Sequence, residues 1–146
     1  MPLVRGGAIG PDVGGDLTPP RPTLDSTDAE SRWTAARALA GRAEAVPELA
    51  AALGRETVPR VREAIMTALM RVGDSASVEA ILPFLRSQDA ALRAAAIESL
   101  QALPEAIAPF MVPLFGDRDS DVRLLATELA RNMEASAATR LLCDLL

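Results

Sequence analysis

The stretch Asp89–Leu103, DAALRAAAIESLQAL, shows the pattern on which most of the chain is built. Its apolar residues recur at helical spacing, which predicts an amphipathic helix with an arginine near its start. Three other segments match it when they are aligned on that arginine. The four aligned segments are SRWTAARAL from Ser31, VREAIMTAL from Val61, LRAAAIESL from Leu92 and VRLLATELA from Val122. Their arginines are Arg32, Arg62, Arg93 and Arg123, at steps of 30, 31 and 30 residues. A fixed period of this length is typical of a solenoid of stacked units.

The composition favours an all-α fold. The 146 residues suit one domain, and 49% of them are hydrophobic, so a sizeable core can form. Aromatic residues make up only 3% of the chain, so the core is built mainly from aliphatic residues and alanine, which has the highest helix propensity. We predict an α-solenoid of about eight helices over residues 27–146, ending in two separate helices, 119–132 and 135–146.

Residues 1–26 have a different composition. They contain five glycines and five prolines, which exclude a regular element. Two interpretations stay open: a flexible tail, or a docking arm that becomes ordered on a partner.

Two prolines predict a shaped repeat unit. Pro83 and Pro113 each lie six residues before an aspartate of the following turn, Asp89 and Asp119. A proline inside a helix removes a backbone hydrogen bond and kinks the helix. The same kink is therefore expected in two successive repeats.

The residue types also exclude several functions. All 15 basic residues are arginine and the net charge is -5, which argues against a nucleic-acid partner. With no histidine, lysine or tyrosine, and no GxSxG, GxGxxG or Walker motif, a catalytic role finds little support. No apolar run reaches the roughly 18 residues of a membrane span, and a signal-peptide core is missing, so a cytoplasmic location is expected.

The repeat resembles HEAT repeats, particularly the short bacterial form of phycobilin-lyase-like proteins. The segments that carry the resemblance are ILPFLRSQDAALRAAAIESL from Ile81 and MVPLFGDRDSDVRLLATEL from Met111. In that family a proline-bearing helix leads through an aspartate-containing turn to a helix that begins Val-Arg. The first repeat departs most, with Ser31 before its arginine and Trp33 after it. The resemblance covers about residues 27–146.

The resemblance implies a ladder in which the repeat arginine and a turn aspartate pair between neighbouring repeats. Asp117 and Arg123 fit that spacing, and Glu56, Ser87 or Asp89 would have to take the aspartate's place in earlier turns. The four arginines are then structural. The alternative is that the stacked arginines bind phosphate groups.

The resemblance also implies that the arginine-bearing helices line a concave groove. Relative to the arginine, positions -1, +3 and +7 are apolar and form the core side of each helix. Positions +1, +5 and +8 should floor the groove. The predicted groove residues are Trp33, Arg37, Glu63, Thr67, Glu98, Gln101, Leu124, Glu128 and Arg131. The alternatives are a peptide or protein groove with an acidic middle, or simply a solvated helix face. Trp33 and Arg37 are the favoured anchors, because tryptophan and arginine dominate binding interfaces.

Two further patterns predict no metal and no cofactor. Asp117, Asp119, Asp121 and Glu128 have the spacing of a calcium loop, but Val122 stands where that loop needs glycine. The lone Cys143 is interpreted as a small buried apolar residue, with a ligand-attaching thiol as the alternative.

The C-terminal end is strongly apolar. Leu141, Leu142, Leu145 and Leu146 cannot all face one neighbouring helix, and solenoids normally end in polar caps. A partner, a second copy of the chain or a folded-back tail is expected there. We favour a homodimer through this face.

The leading functional hypothesis is a non-catalytic protein-binding module, an accessory or adaptor subunit of a larger protein. It would use the groove, the N-terminal arm and the apolar C-terminal end. The alternative, from the resemblance, is an accessory factor for a small ligand or a cofactor-modifying enzyme of the phycobilin-lyase type. A nucleic-acid binder is the least favoured hypothesis.

Overall fold

The computed structural model describes the backbone of residues 21–144 and the side chains of residues 21–136 and of Cys143. This part of the chain forms helices and turns, without a strand. Its seven helical arms are α1 (Ala29–Ala38); α2 (Val46–Arg55), after a 3-10 turn (Ala43–Ala45); α3 (Pro59–Val72); α4 (Ser75–Ile81), continued by a 3-10 helix (Leu82–Arg86); α5 (Ala90–Gln101); α6 (Pro104–Ile107) and α7 (Met111–Phe115), joined by a 3-10 turn (Ala108–Phe110); and α8 (Ser120–Asp144).

The arms form two layers. Helices α1, α3, α5 and α8, which carry the four repeat arginines, pack side by side in that order. Helices α2, α4 and α6 form the second layer, and each packs on the arginine-bearing helix that follows it, while α7 packs on α8. The predicted all-α solenoid is confirmed.

The core follows the repeat. The residues at positions -1, +3 and +7 from the repeat arginine are buried in α3 and α5. In α8 the first two of these positions are buried, and the third, Ala130, is half-buried. The buried residues of these columns are Val61, Ile65, Leu69, Leu92, Ala96, Leu100, Val122 and Ala126. Because the buried side recurs at helical spacing, each repeat presents its opposite positions to solvent.

The helix ends are set by local chemistry. Pro59 stands in the first turn of α3, where its missing N–H removes no helical bond. Gly73 ends α3 in the left-handed region, with φ at 64° and its N–H donating to the Leu69 carbonyl. Asp89 caps α5, its side chain accepting from the Ala91 and Leu92 N–H groups.

The helical path changes at one of the two prolines that were expected to kink it and not at the other. Helix α4 gives way to 3-10 geometry at Leu82, and Pro83 follows directly. In the next repeat the α-helical path is interrupted at Ala108–Phe110, where Pro109 removes a backbone donor, and Pro113 stands inside α7. The break therefore falls one turn earlier than the position of Pro113 predicts.

The C-terminal expectations are corrected. The predicted gap between helices 119–132 and 135–146 is absent, because α8 runs unbroken from Ser120 to Asp144. The linking residues include neither glycine nor proline, so nothing there interrupts the helix. Cys143 is exposed, which corrects its interpretation as a buried residue. The side chains of Leu141 and Leu142, and all of Leu145 and Leu146, lie outside the described residues, as do residues 1–20 of the predicted arm.

Within the predicted arm, Leu24 has a defined place. Its side chain is 2% exposed and belongs to the hydrophobic core. The Thr23 N–H donates to the Ser26 hydroxyl, and Asp25 pairs with Arg55 of α2. This short segment is therefore held against the first repeat.

Candidate functional site

The four repeat arginines share one local contact. Each guanidinium donates to the backbone carbonyl six residues earlier, in the turn before its own helix. The donor–acceptor distances are 2.9 Å from Arg32 to Ser26, 2.6 Å from Arg62 to Glu56, 2.6 Å from Arg93 to Ser87 and 2.8 Å from Arg123 to Asp117. The arginine thus fixes the turn of its own repeat.

The same arginines reach carboxylates of the next repeat at two interfaces. Arg32 donates to Glu56 through Nε at 2.7 Å and Nη2 at 3.2 Å. The Glu56 carboxylate also accepts from the Thr57 and Val58 N–H groups at 3.0 and 2.9 Å. The hydrogen bond from Arg32, and then those backbone donors, hold the pKa of Glu56 below its usual value although burial opposes this.

At the next interface Arg62 donates to Asp89 at 2.5 Å, and this hydrogen bond lowers the pKa of Asp89. The following turn corrects the prediction for Asp117 and Arg123, because the Asp117 carboxylate pairs with Arg86 while Arg123 donates to the Asp117 backbone carbonyl. The Asp119 N–H and then Arg86 lower the pKa of Asp117. Since these contacts occupy the guanidinium groups within the fold, they favour the structural interpretation of the ladder over phosphate binding.

A cavity of about 690 Å³ opens between α1 and α3. Trp33, the only tryptophan of the chain, lines it. The guanidinium groups of Arg37 and Arg60 lie 4.5 and 4.3 Å from the centroid of its ring. These are cation–π distances. Arg60 also donates to Glu30 at 2.6 Å.

A second cavity of about 360 Å³ lies between α3 and α5. Glu63 and Thr67 line both cavities, so the two adjoin on the surface of the arginine-bearing layer. The second cavity has an apolar lining that includes Met66, Met70 and Leu92, with Glu98 beside it.

The structure thus brings together five of the predicted groove residues: Trp33, Arg37, Glu63, Thr67 and Glu98. The other four do not line either cavity. Gln101 is half-buried on α5, and α8 exposes Leu124, Glu128 and Arg131. Leu124 is 62% exposed.

Arg60 and Arg71 were missed by the sequence reasoning, and both line the first cavity. They stand one helical turn before Glu63 and one turn after Thr67, so extending the groove column along α3 would have included them. With Arg37 they place three arginines against one glutamate around this cavity. The first cavity is therefore basic, whereas the second is lined by Glu63 and Glu98.

Metal and membrane sites are not seen in the described residues. That part of the chain contains no group of three or more histidine, cysteine, aspartate or glutamate side chains able to hold a metal ion. Nor does any helix there combine the length and apolar character needed to cross a membrane.

Comparison with known proteins identifies one family. A family model described as HEAT repeats matches residues 19–101, more than half of the chain. No curated protein and no solved structure matches the chain.

Proposed function

The chain belongs to the HEAT-repeat family, and from that membership we propose that it is a non-catalytic protein-binding module, an accessory or adaptor subunit of a larger protein. HEAT repeats commonly mediate protein–protein interaction. The sequence has no histidine, lysine or tyrosine to act as the usual proton carriers, which supports a non-catalytic role.

The observation that carries the proposal is the pair of adjoining cavities on the arginine-bearing layer. They join a half-buried tryptophan and several arginines to an apolar recess. Tryptophan and arginine are enriched among the residues that dominate interface affinity, especially beside fully desolvated apolar pockets. We place the main partner contact here, with Trp33 and Arg37 as anchors.

Further contacts are proposed at the two ends of the chain. The N-terminal arm would add to the groove contact, and Leu141, Leu142, Leu145 and Leu146 would meet the partner or a second copy of the chain. A homodimer through this end, a cytoplasmic location and the absence of a nucleic-acid partner remain predictions.

The proposal is tested by affinity capture of the full chain from its native host at moderate salt, followed by mass spectrometry. We expect a stoichiometric larger protein that is lost with Trp33→Ala. Phe115→Ala is the control, since Phe115 is a partly exposed aromatic residue outside both cavities. Retention of the partner by Trp33→Ala would exclude the groove as the docking surface.

The cavity volume favours a second candidate, an accessory factor for a small ligand of the phycobilin-lyase type. Small-molecule sites commonly enclose roughly 300–1,000 Å³, and the first cavity has about 690 Å³. This function predicts a coloured or otherwise detectable small molecule in the protein purified from its host, seen by absorption and native mass spectrometry. Protein recovered without such a molecule, but with a partner chain, would exclude it.

A further inference from the structure

The first cavity contains positive charge that the carboxylates of the described residues do not pair with. Among the described residues, neither Arg37 nor Arg71 has a carboxylate partner. Both side chains are exposed and both line the cavity. The one acid of the lining, Glu63, cannot balance two free guanidinium groups. The cavity is therefore complementary to an anionic group.

Arg60 shows how such a group can be bound. Its guanidinium lies 4.3 Å from the Trp33 ring centroid and at the same time donates to the Glu30 carboxylate at 2.6 Å. Stacking uses the face of a guanidinium and leaves its in-plane N–H groups available. Arg37 lies 4.5 Å from the same ring centroid but has no carboxylate partner among the described residues. A carboxylate from outside the chain can complete for Arg37 the arrangement that Glu30 completes for Arg60.

The second cavity is suited to an apolar group of the ligand. Met66, Met70 and Leu92 give it an apolar floor, and methionine side chains adapt to partners of varied shape. An aliphatic side chain placed there removes apolar surface from water on both partners. A ligand that spans the two cavities needs one acidic and one apolar group.

The spacing of the helices sets the distance between those groups. The first cavity lies between α1 and α3 and the second between α3 and α5, and packed helices are about 8–10 Å apart. An extended peptide in polyproline II geometry rises about 3.1 Å per residue and completes one turn in three residues, so side chains about three residues apart point the same way and stand about 9 Å apart. Resting on the protein-binding function proposed above, we propose that the groove recognises an extended partner segment with an aspartate or glutamate about three residues from an aliphatic side chain.

The charges around the site distinguish this ligand from a polyanion. Glu63 stands where the two cavities meet, and Glu98 lines the second. The chain as a whole has a net charge of -5. A single carboxylate at Arg37 and Arg71 meets one acid, Glu63, against two guanidinium groups, whereas a nucleic acid would also meet Glu98 and would be repelled along its length.

The test uses the full chain against a random dodecapeptide display library, followed by titration of the selected peptides as synthetic, end-blocked molecules. Trp33 is the only tryptophan and lies in the site, so its fluorescence reports binding directly. We expect selected peptides with an acid about three positions from leucine, isoleucine or methionine. Replacing that acid by its amide should weaken binding about tenfold or more.

Substitution of arginines inside and outside the first cavity tests whether the acid of the peptide binds there. The double variant Arg37→Gln/Arg71→Gln should bind at least about tenfold more weakly than the full chain. Arg42→Gln, an exposed arginine outside both cavities, should bind as the unaltered chain does. Selected peptides without an acid, or equal binding by the double variant, would overturn this inference but leave the protein-binding function standing.

Two further results would count against the proposal. An equal fluorescence response to inorganic phosphate or to single-stranded oligonucleotide would assign the site to phosphate chemistry. If no peptide is selected and none changes the fluorescence, this inference is overturned, and the capture experiment with Trp33→Ala decides separately on the proposed protein-binding function.

Discussion

Arg32 and Glu56 form the most buried of the five ion pairs among the described residues, with side chains 18% and 5% exposed. The two residues are 24 positions apart and belong to neighbouring repeats. Four hydrogen bonds converge on the Glu56 carboxylate, two from Arg32 and two from backbone N–H groups at the start of the following helix. Glu56 therefore joins two repeats and fixes the turn between α2 and α3.

Replacing Glu56 by alanine should destabilise the fold by about 2–4 kcal/mol, because it leaves a largely buried arginine and two backbone donors without partners. Urea unfolding followed by circular dichroism measures this. Glu79→Ala, an exposed acid on α4, is the control and should change stability by less than about 0.5 kcal/mol. Similar losses for both variants would contradict the role assigned to Glu56.

Stability should fall in acid. The folded-state pKa values of Glu56, Asp89 and Asp117 lie below their ordinary values of 4.5, 3.8 and 3.8. The unfolded chain then binds these protons at a higher pH than the folded chain does, so acidification favours unfolding. The contribution of these groups is fully present above about pH 5 and is lost progressively between about pH 5 and pH 2.

Urea midpoints at pH 7, 5, 4 and 3 check this. We expect little change between pH 7 and 5 and a decline below that. Glu56→Gln should reduce the decline, because one of the titrating groups is gone. An unchanged midpoint down to pH 3 would show that the carboxylates contribute nothing to stability.

The register of α5 gives a packing prediction. Leu100 is fully buried, whereas Glu98 is exposed toward the second cavity. Leu100→Ala should cost about 2–5 kcal/mol through lost burial and the cavity left behind. Glu98→Ala should change the free energy of unfolding by less than about 0.5 kcal/mol. Thermal and urea unfolding measure the stability of both variants. Equal losses would mean that the buried and exposed faces of α5 are assigned incorrectly.

Two glycines should respond oppositely to alanine. Gly73 has φ at 64°, and a Cβ there would stand 3.1 Å from the Met70 carbonyl oxygen, so Gly73→Ala should destabilise by about 1–2 kcal/mol. Gly54 lies within α2 with no atom within 4 Å of a Cβ. Gly54→Ala should therefore stabilise by about 0.5–1 kcal/mol. The denaturant midpoints of the two single variants measure both changes in stability. Midpoint shifts of the same sign would contradict the different backbone roles given to Gly73 and Gly54.

The repeat made most of the fold predictable from sequence. The arginine spacing defined the stacked helices, and the apolar positions beside it defined the buried side, because both depend on helical geometry that each repeat uses again. The prediction of a helix break after Asn132 was wrong, because it was based on the repeat pattern and not on a glycine or proline that would end a helix. With neither glycine nor proline in the linking residues, local helix propensity carries α8 through that position.

The site was only partly predictable for a related reason. A column of residues read from one helix contains Trp33 and Arg37, and another contains Glu63 and Thr67. The charge balance depends on side chains that reach in from the next turn, as Arg60 and Arg71 do. The arginine partner of Asp117 was also not fixed by spacing, since the repeat pattern indicated Arg123 whereas the carboxylate pairs with Arg86.

The contact between each repeat arginine and the carbonyl six residues before it has an evolutionary consequence. Donor and acceptor lie within the same segment of about 30 residues, so a duplicated segment brings the complete contact with it. Only the carboxylate comes from the neighbouring repeat. Where the repeat arginine is Arg93, the carboxylate of the next repeat, Asp117, pairs with Arg86 instead, so a different arginine can bind it. A gene encoding such a chain can therefore gain or lose a repeat by unequal recombination while every remaining turn keeps its arginine contact.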